Sequence, residues 1–310
     1  MRTQTALRLH TYGGPDSVRL DQIAIPAPGP GQVLVHVKAA GVNGLDFKIR
    51  QGSVRDAFPL PLPAVLGIEL AGVVTAVGEG VARLKVGDRV MGALGGVGAY
   101  AEFAVVDAAK LALTPAGLSD VDAAALPVAA LTGWQILRAA GELKPGQTVL
   151  IHGASGNVGG FAVQFAKAAG ATVITTASAA KRDYVLSLGA DQVIDRDAER
   201  FEDHLSGVDL VLDFVGGDAT RRSWAVLAPD GAIVATADPG VLADMPEGRR
   251  GLFFMMKPDF EREQAIAEAA ARGELQYRVA ETVGFAGLST AIDRNWGSHA
   301  PGKIVLDTSR

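Results

Sequence analysis

A short stretch near the middle of the chain, residues 149–160, constrains the fold most. It begins with Val-Leu-Ile-His, a compact apolar run that predicts a buried strand. Glycines then interrupt the run, and an apolar helix rich in small residues is expected over about residues 158–169. A further strand is expected over residues 172–176. The pattern is therefore strand, glycine turn, helix and strand.

A glycine turn between a strand and a helix is suited to a nucleotide pyrophosphate, because backbone N–H groups at the helix start point at the phosphates and the helix dipole favours their charge. Gly156 is expected to let the backbone approach the pyrophosphate, and Gly159 to let the helix pack closely on the strand. Such a turn can also serve packing alone, but the flanking elements favour a dinucleotide site. Its expected lining residues are Ala154, which replaces the usual first glycine, Ser155, Gly156, Asn157 and Val158.

The chain changes character along its length. Its first third is rich in valine, glycine and proline, and alternation predicts short strands over residues 32–40, 70–77, 88–91 and 99–106, typical of a small barrel-like β domain. From residue 149 strands alternate with helices, which predicts a parallel sheet covered on both faces. The expected strands there are 149–152, 172–176, 192–194, 209–214 and 232–236, and the expected helices are 158–169, 179–188, 218–227 and, later, 259–272.

Composition excludes several classes of function. The net charge is −5 and no long basic run occurs, which argues against nucleic acid or an anionic membrane as the main partner. The chain has no cysteine, so disulfides, thiol catalysis and thiolate metal sites are excluded. We expect neither a signal peptide nor a membrane span, and therefore a cytoplasmic protein.

Seven motifs follow one another along the chain: residues 40–43 with Asp46, 66–69, 72–78, 86–90, 98–102, 126–134 and 302–306. Together they resemble the medium-chain dehydrogenase/reductase superfamily and, within it, the zinc-free quinone oxidoreductase-like branch. The resemblance implies a fold of the α/β plus β class: a GroES-like β-rich catalytic domain with an inserted doubly wound Rossmann domain. It implies that residues 1–122 and 259–310 form the catalytic domain, that residues 123–258 bind NADPH, and that the active site is the cleft between them.

Zinc-containing relatives carry a Gly-His-Glu motif that is Gly67-Ile68-Glu69 here, so a hydrophobic residue replaces the ligand histidine. A zinc site needs three or four N, S or carboxylate ligands. The five histidines stand singly, at positions 10, 36, 152, 204 and 299. We therefore expect no metal site, and we expect Glu69 to be a remnant of one or an internal ion-pair partner.

The choice between NADPH and NADH rests on the residues after the second strand of the Rossmann domain. NAD sites usually place an acid about 20 residues beyond the glycine motif. Here the first acid is Asp183, whereas Ser178 and Lys181, with Arg196 after the third strand, suit a 2′-phosphate. Lys181 and Arg182 are alternatively a solvated helix start. Val215 and Thr236 follow strands at the carboxyl edge of the sheet, where ligands bind, and are expected to contact the cofactor. Further expected cofactor contacts are Asn43, which the resemblance implies, and Thr132, Thr176 and Lys303.

The resemblance places Asn43 beside the nicotinamide ribose and the substrate, where its amide could donate to an oxygen. Lys48 falls where enone-reducing relatives carry lysine, and a cation there would stabilise an enolate-like oxygen. Lys48 is alternatively a surface charge, and Tyr100 is either a substrate wall or a core residue. No obligate proton donor is visible, so water is expected to protonate the product.

These features predict an NADPH-dependent, zinc-independent oxidoreductase that reduces a small-molecule quinone or α,β-unsaturated carbonyl by hydride transfer. The alternatives are an enoyl-thioester reductase and a non-catalytic nucleotide-binding protein. The apolar run at residues 251–256 comes late in the Rossmann domain and predicts a homodimer. Residues 253–255 are alternatively an edge strand or the floor of the nicotinamide pocket.

Overall fold

A computed structural model describes residues 2–243, 245–297 and 302–310. The strands are β1 Thr3–Leu9, β2 Val18–Ala24, β3 Gln32–Gly41, β4 Ala64–Val65, β5 Glu69–Val77, β6 Arg89–Ala93, β7 Phe103–Asp107, β8 Ala112–Leu113, β9 Thr148–His152, β10 Thr172–Ala177, β11 Gln192–Asp195, β12 Val208–Asp213, β13 Leu227–Ala235, β14 Arg250–Phe253, β15 Val279–Val283 and β16 Lys303–Asp307. The helices are α1 Gly44–Gln51, α2 Asp120–Ala124, α3 Pro127–Ile136, α4 Asn157–Ala168, α5 Arg182–Ser187, α6 Asp218–Ser223, α7 Phe260–Ala271 and α8 Phe285–Gly297.

Internal contacts divide the chain into two compact units. The first unit comprises Met1–Val128, Lys257–Glu274 and Arg278–Arg310, and the second comprises Ala129–Met256 with Leu275–Tyr277. The boundaries that the sequence predicts between the catalytic and NADPH-binding domains, after residues 122 and 258, remain predictions. Across the described ranges, no helix has the length and apolar composition that a bilayer crossing requires.

The first unit is rich in β structure. Its larger sheet has the order β15-β16-β3-β5-β6-β8, with β7 also paired to β3, and its smaller sheet has the order β2-β1-β4. The predicted alternation of buried and more exposed side chains in β3 is confirmed, because Val33, Val35 and Val37 are all fully buried. The strand predicted over residues 99–106 is wrong at its start: β7 begins at Phe103, because Tyr100 turns into the core.

The second unit contains a six-stranded parallel sheet in the order β11-β10-β9-β12-β13-β14. Counted in chain order this is 3-2-1-4-5-6, the doubly wound arrangement, which confirms the predicted Rossmann fold. Residues of β9 alternate between the two faces, so that Val149 and Ile151 enter one apolar cluster and Leu150 enters the other. The chain order reverses beside β9, where ligands of such sheets bind at the carboxyl ends of the strands.

Two predicted helices of the second unit are corrected by the structure. The helix expected over residues 218–227 ends at Ser223, because Trp224 and Val226 turn into the core and β13 begins at Leu227. The helix expected over residues 179–188 starts with a 3-10 turn, and α5 begins at Arg182.

Side-chain caps define two helix starts in the first unit. The Ser119 side chain accepts a hydrogen bond from the N–H of Asp122 at the start of α2. At the helix expected over residues 259–272, Asp259 caps α7 by accepting from the N–H of Arg262.

Candidate functional site

The glycine turn after β9 leads directly into α4. Gly153 has a φ of +81°, which favours glycine, and Gly156 is the residue that precedes the helix. A Cβ atom at Gly159 would overlap the carbonyl oxygen of Gly153, so the helix starts against the turn as closely as the sequence predicts.

The start of α4 offers backbone donors to an anion. No side chain caps the helix. Gly156 is exposed and has no side chain, so this position leaves the amides of the first turn uncovered. The neighbouring Ser155, Asn157 and Val158 are partly exposed, whereas Ala154 is buried. This chemistry fits a pyrophosphate, because the amides and the dipole of a 12-residue helix face it together.

The three residues expected at a 2′-phosphate lie at two adjacent strand ends. Strands β10 and β11 run parallel, with Ala177 opposite Asp195, so Ser178 and Arg196 leave the sheet side by side. The N–H of Arg196 donates to the carbonyl of Ala177 at 3.0 Å.

Lys181 belongs to the same group, because its N–H donates to the carbonyl of Ser178 at 2.9 Å. The guanidinium of Arg196 is exposed and lies 3.5 Å from Asp197. Arg182 instead donates to the carbonyl of Val193, so it secures α5 to β11.

The remaining nucleotide candidates of the second unit follow the same edge of the sheet. Thr176 is the penultimate residue of β10, Val215 follows β12 and is 54% exposed, and Thr236 follows β13. Thr132 lies on α3 and is buried. The structure thus brings Thr176, Val215 and Thr236 to the carboxyl edge of one sheet.

A buried polar cluster surrounds Asn43 in the first unit. The Lys303 ammonium lies 2.6 Å from Asn43 Oδ1 and 2.6 Å from Glu69 Oε1. Asn43 Nδ2 donates to Glu69 Oε1 at 2.8 Å and to the carbonyl of Gly41 at 3.2 Å. Glu69 Oε2 accepts from the N–H of Val128 at 2.7 Å. Glu69 is therefore an internal ion-pair partner, one of the two roles expected for it.

The cluster determines what Asn43 offers. The amide atom beside the Lys303 ammonium must be the oxygen, and the atom beside the Glu69 carboxylate must be the nitrogen. Both amide hydrogens of Asn43 are already used within the cluster. The donation to a substrate oxygen expected from the sequence would therefore require one of these bonds to break.

A second buried pair, Asp46 and Tyr100, supports the same loop. Asp46 Oδ2 accepts from the N–H of Asn43 at 2.8 Å and from the Tyr100 hydroxyl at 2.8 Å. Burial raises the pKa of Asp46 to about 7, although both hydrogen bonds and the charge of Lys303 oppose the shift. Burial also raises the pKa of Tyr100.

Tyr100 is therefore a core residue, one of its two expected roles. Asp46 is a site residue without a role among the sequence-based expectations, although it stands three residues after Asn43 at a helix start, where an acid often reaches back to the backbone.

Lys48 points to an aromatic pair. Its ammonium lies 5.6 Å from the ring centroid of Trp296, and Trp296 stacks on Phe47 with centroids 4.8 Å apart. Lys48 is partly exposed and Trp296 is 44% exposed. The Lys48 ammonium thus lies over an aromatic face, in a cation–π contact.

Ile68, at the position of the zinc-ligand histidine in relatives, is buried in the hydrophobic core. Over the described ranges, no group of three or more His, Cys, Asp or Glu side chains is placed to hold a metal ion. His299 lies outside those ranges.

Two family models match the chain. An alcohol dehydrogenase GroES-like domain matches residues 29–116, and a zinc-binding dehydrogenase domain matches residues 188–306. The second name describes a family, and its matched segment lies outside residues 67–69.

Curated relatives include a 2-haloacrylate reductase of Burkholderia sp, 34% identical over 96% of this chain and 97% of the relative. Quinone oxidoreductase 1 of Escherichia coli is 35% identical over 83% of this chain and 81% of its own length. The synaptic vesicle membrane protein VAT-1 homolog of Rattus norvegicus is 41% identical over 74% of this chain. This chain spans 58% of that relative's length.

Solved structures agree over nearly the whole chain. The quinone oxidoreductase from Coxiella burnetii superposes with a TM-score of 0.93 at 31% identity, covering 99% of both chains. The Escherichia coli quinone oxidoreductase complexed with NADPH superposes with a TM-score of 0.84 at 31% identity, covering 98% of this chain and 99% of the other. The chain thus belongs to the quinone oxidoreductase-like branch of the medium-chain dehydrogenase/reductase superfamily.

Proposed function

We propose that this chain is an NADPH-dependent oxidoreductase that transfers a hydride to a quinone or an α,β-unsaturated carbonyl. One observation carries the choice of cofactor: Ser178, Lys181 and Arg196 converge at the adjacent ends of β10 and β11. A 2′-phosphate carries about −1.5 to −2 charges at neutral pH, and a hydroxyl, an ammonium and a guanidinium are the groups that bind it best. The NADPH complex of the Escherichia coli relative supports this choice.

The second unit would hold the dinucleotide by its backbone and its polar edge. The first-turn amides of α4 bind the pyrophosphate, and Gly156 leaves room for it. Thr132, Thr176, Val215 and Thr236 line the rest of the nucleotide. With residues 123–258 as the NADPH-binding domain, residues 1–122 and 259–310 supply the groups that act on the substrate.

The bound reduced nicotinamide supplies the hydride. The roles of the protein are then orientation and charge stabilisation. Asn43, held by Lys303 and Glu69, binds the nicotinamide ribose, and its fixed orientation lowers the cost of ordering the complex. Lys48 places positive charge near the substrate oxygen that becomes negative. Water protonates the product.

Two relatives support the substrate class. The reductase from Burkholderia sp acts on a haloacrylate, which is an activated alkene, and the Escherichia coli relative is a quinone oxidoreductase. Both substrates accept a hydride at a carbon whose charge is delocalised onto oxygen, and neither requires a metal to bind an alkoxide.

The test is to mix purified protein with NADPH and then with a quinone, an enal, an enone or an enoyl thioester, and to follow the absorbance of NADPH. We expect saturable turnover with a quinone or an enal, and a lower kcat/KM with NADH. Saturable NADPH binding without turnover of any acceptor would indicate a non-catalytic nucleotide-binding protein. A strong preference for the enoyl thioester would indicate an enoyl-thioester reductase.

A further inference from the structure

A buried histidine lies beneath the nucleotide edge of the sheet in the second unit. His152 ends β9, and across the parallel sheet it stands opposite Thr176 of β10 on one side and Asp213 of β12 on the other. Its side chain is 1% exposed. Each ring nitrogen contacts one hydroxyl: Nδ1 lies 2.8 Å from Thr176 Oγ1, and Nε2 lies 2.8 Å from Ser223 Oγ.

The hydrogen bonds of Ser223 determine which ring nitrogen carries the proton. The Ser223 hydroxyl lies 2.7 Å from the carbonyl oxygen of Ala219, one turn earlier in α6. A carbonyl can only accept, and a hydroxyl has a single hydrogen. Ser223 therefore donates to Ala219, and its contact with His152 is satisfied when Nε2–H is the donor.

The orientation of Thr176 follows from that tautomer. A neutral imidazole with hydrogen on Nε2 has a lone pair on Nδ1, so Nδ1 accepts from the Thr176 hydroxyl. The single hydroxyl hydrogen of Thr176 then points inward to His152. The remaining lone pairs of Thr176 Oγ1 make it a hydrogen-bond acceptor towards any group at the strand end.

The surroundings keep the imidazole neutral. Burial lowers the pKa of His152 to about 4; Arg222 also lowers it, whereas Asp213 and Glu202 raise it. Asp213 is occupied by other donors, because its carboxylate accepts from the N–H groups of Val215 and Gly216 at 2.8 and 2.9 Å. A neutral ring with a single tautomer is therefore expected across the physiological pH range.

Thr176 is the penultimate residue of β10, just before the strand end at which NAD sites carry an acid that accepts from a ribose hydroxyl. A carboxylate at that place would repel the 2′-phosphate of NADPH. A hydroxyl oriented as an acceptor binds the remaining ribose hydroxyl without that repulsion.

We propose that His152 is a positioning residue that makes Thr176 the acceptor for the 3′-hydroxyl of the phosphorylated ribose. This inference rests on the proposed NADPH site and adds a determinant of cofactor recognition that lies beneath it.

The first test measures the tautomer directly. Nitrogen-15 NMR of the histidine-labelled protein should show His152 with hydrogen on Nε2 and no titration between about pH 5.5 and 8. The His152→Phe variant assigns the signal. Hydrogen on Nδ1, or a ring that titrates above about pH 6, would overturn the proposal.

The second test uses adenosine 2′,5′-bisphosphate and its 3′-deoxy analogue as probes in calorimetry. The protein should bind the deoxy probe about three- to tenfold more weakly, as expected for one lost hydrogen bond. Thr176→Val and His152→Phe should bind the two probes within about twofold of each other, because neither retains an oriented acceptor. His152→Asn should keep the discrimination, because its amide oxygen can accept from Thr176.

Thr175→Val is the matched control, since the Thr175 hydroxyl faces the carbonyl of Gln192 and should leave the discrimination intact. If the unchanged protein binds neither probe, the NADPH site itself is refuted. If it binds both probes equally, or if His152→Phe keeps the full discrimination, the role of His152 is refuted and the NADPH site stands.

Discussion

The ammonium of Lys303 lies 2.6 Å from a carboxylate oxygen of Glu69, and both side chains are shielded from solvent. The two residues are far apart in sequence, in β16 and at the start of β5, and they meet at Asn43. Charges removed from water in this way persist only when each has a partner. The pair therefore maintains the orientation of Asn43, and its loss should disturb both stability and the site.

Lys303→Met should lower the free energy of unfolding by about 3–5 kcal/mol, because it leaves the buried carboxylate of Glu69 without its counter-ion. The double variant Lys303→Met with Glu69→Leu should recover part of that loss. Urea unfolding followed by circular dichroism measures both. Arg272→Met breaks an exposed pair with Glu274 and should change the midpoint little. A Lys303 variant as stable as the unchanged protein would contradict this account.

Lys181→Glu should cut kcat/KM for NADPH by at least about tenfold and barely affect NADH, because a charge-assisted phosphate contact contributes roughly 1.5–3 kcal/mol. Lys144→Glu makes the same change of charge at an exposed position of the second unit and is the matched control. Steady-state kinetics with both cofactors decides the question. Equal losses for NADPH and NADH would refute the 2′-phosphate assignment.

Lys48→Ala should lower kcat for an enone by about 10²–10³ with nearly unchanged NADPH affinity, because a donor that acts on developing charge contributes in the transition state. The effect on a quinone should be smaller, since a quinone is already a strong hydride acceptor. Lys85→Ala, an exposed lysine of the first unit, is the control. Wild-type behaviour of Lys48→Ala on every carbonyl acceptor would make Lys48 a surface residue.

The raised pKa of Asp46 predicts a pH dependence of stability. The folded state holds a proton up to about pH 7, whereas an unfolded aspartate loses it near 3.8. The contribution of this group is therefore full below pH 3.8 and falls as pH rises towards 7, by up to about 1.4 kcal/mol per pH unit.

The measurement is the difference in unfolding free energy between the unchanged protein and Asp46→Asn, taken at several pH values. This difference should fall between about pH 4 and 7 and then become constant. Tyr100→Phe removes a hydrogen bond that lowers the pKa of Asp46. In that variant the fall of the unfolding free energy with rising pH should therefore continue to higher pH. Parallel curves for the unchanged protein and Asp46→Asn would show that Asp46 does not titrate there.

Strand β14 should pair with its copy in a homodimer. It is the edge of the six-stranded sheet, and Leu242, Met245 and Met255 near it are exposed apolar side chains. Leu252→Lys, on the edge strand itself, should shift the sedimentation coefficient from dimer to monomer, and Leu20→Lys, an exposed leucine of the first unit, should not. A monomer at every concentration of the unchanged protein would refute the dimer.

The local parts of the fold follow from the sequence because local rules fix them. The glycine turn, the caps at Ser119 and Asp259 and the alternation of β3 each depend on residues within one or two turns of each other. The helix predicted over residues 218–227 is too long because helical propensity is weaker than the burial of Trp224 and Val226, which only the assembled core reveals.

The site could be predicted in part for a similar reason. Asn43 and the phosphate-binding candidates stand in short motifs. The bonds that join Asn43 to Lys303 and Glu69, or His152 to Ser223, connect residues far apart in sequence and depend on sheet register. The sequence identified Asn43 and Lys303 as candidates, whereas the pairing of His152 with Ser223 and the direction of each hydrogen bond required the structure.

The position of β16 has a consequence for the order in which the protein matures on the ribosome. β16 lies between β3 and β15 and carries Lys303, yet it is synthesised after the whole of Ala129–Met256. The second unit has its sheet within one nearly continuous stretch and is able to fold as it emerges. In the first unit Glu69 leaves the ribosome long before its counter-ion exists. The cluster around Asn43 therefore cannot be complete until the whole of the second unit has been synthesised.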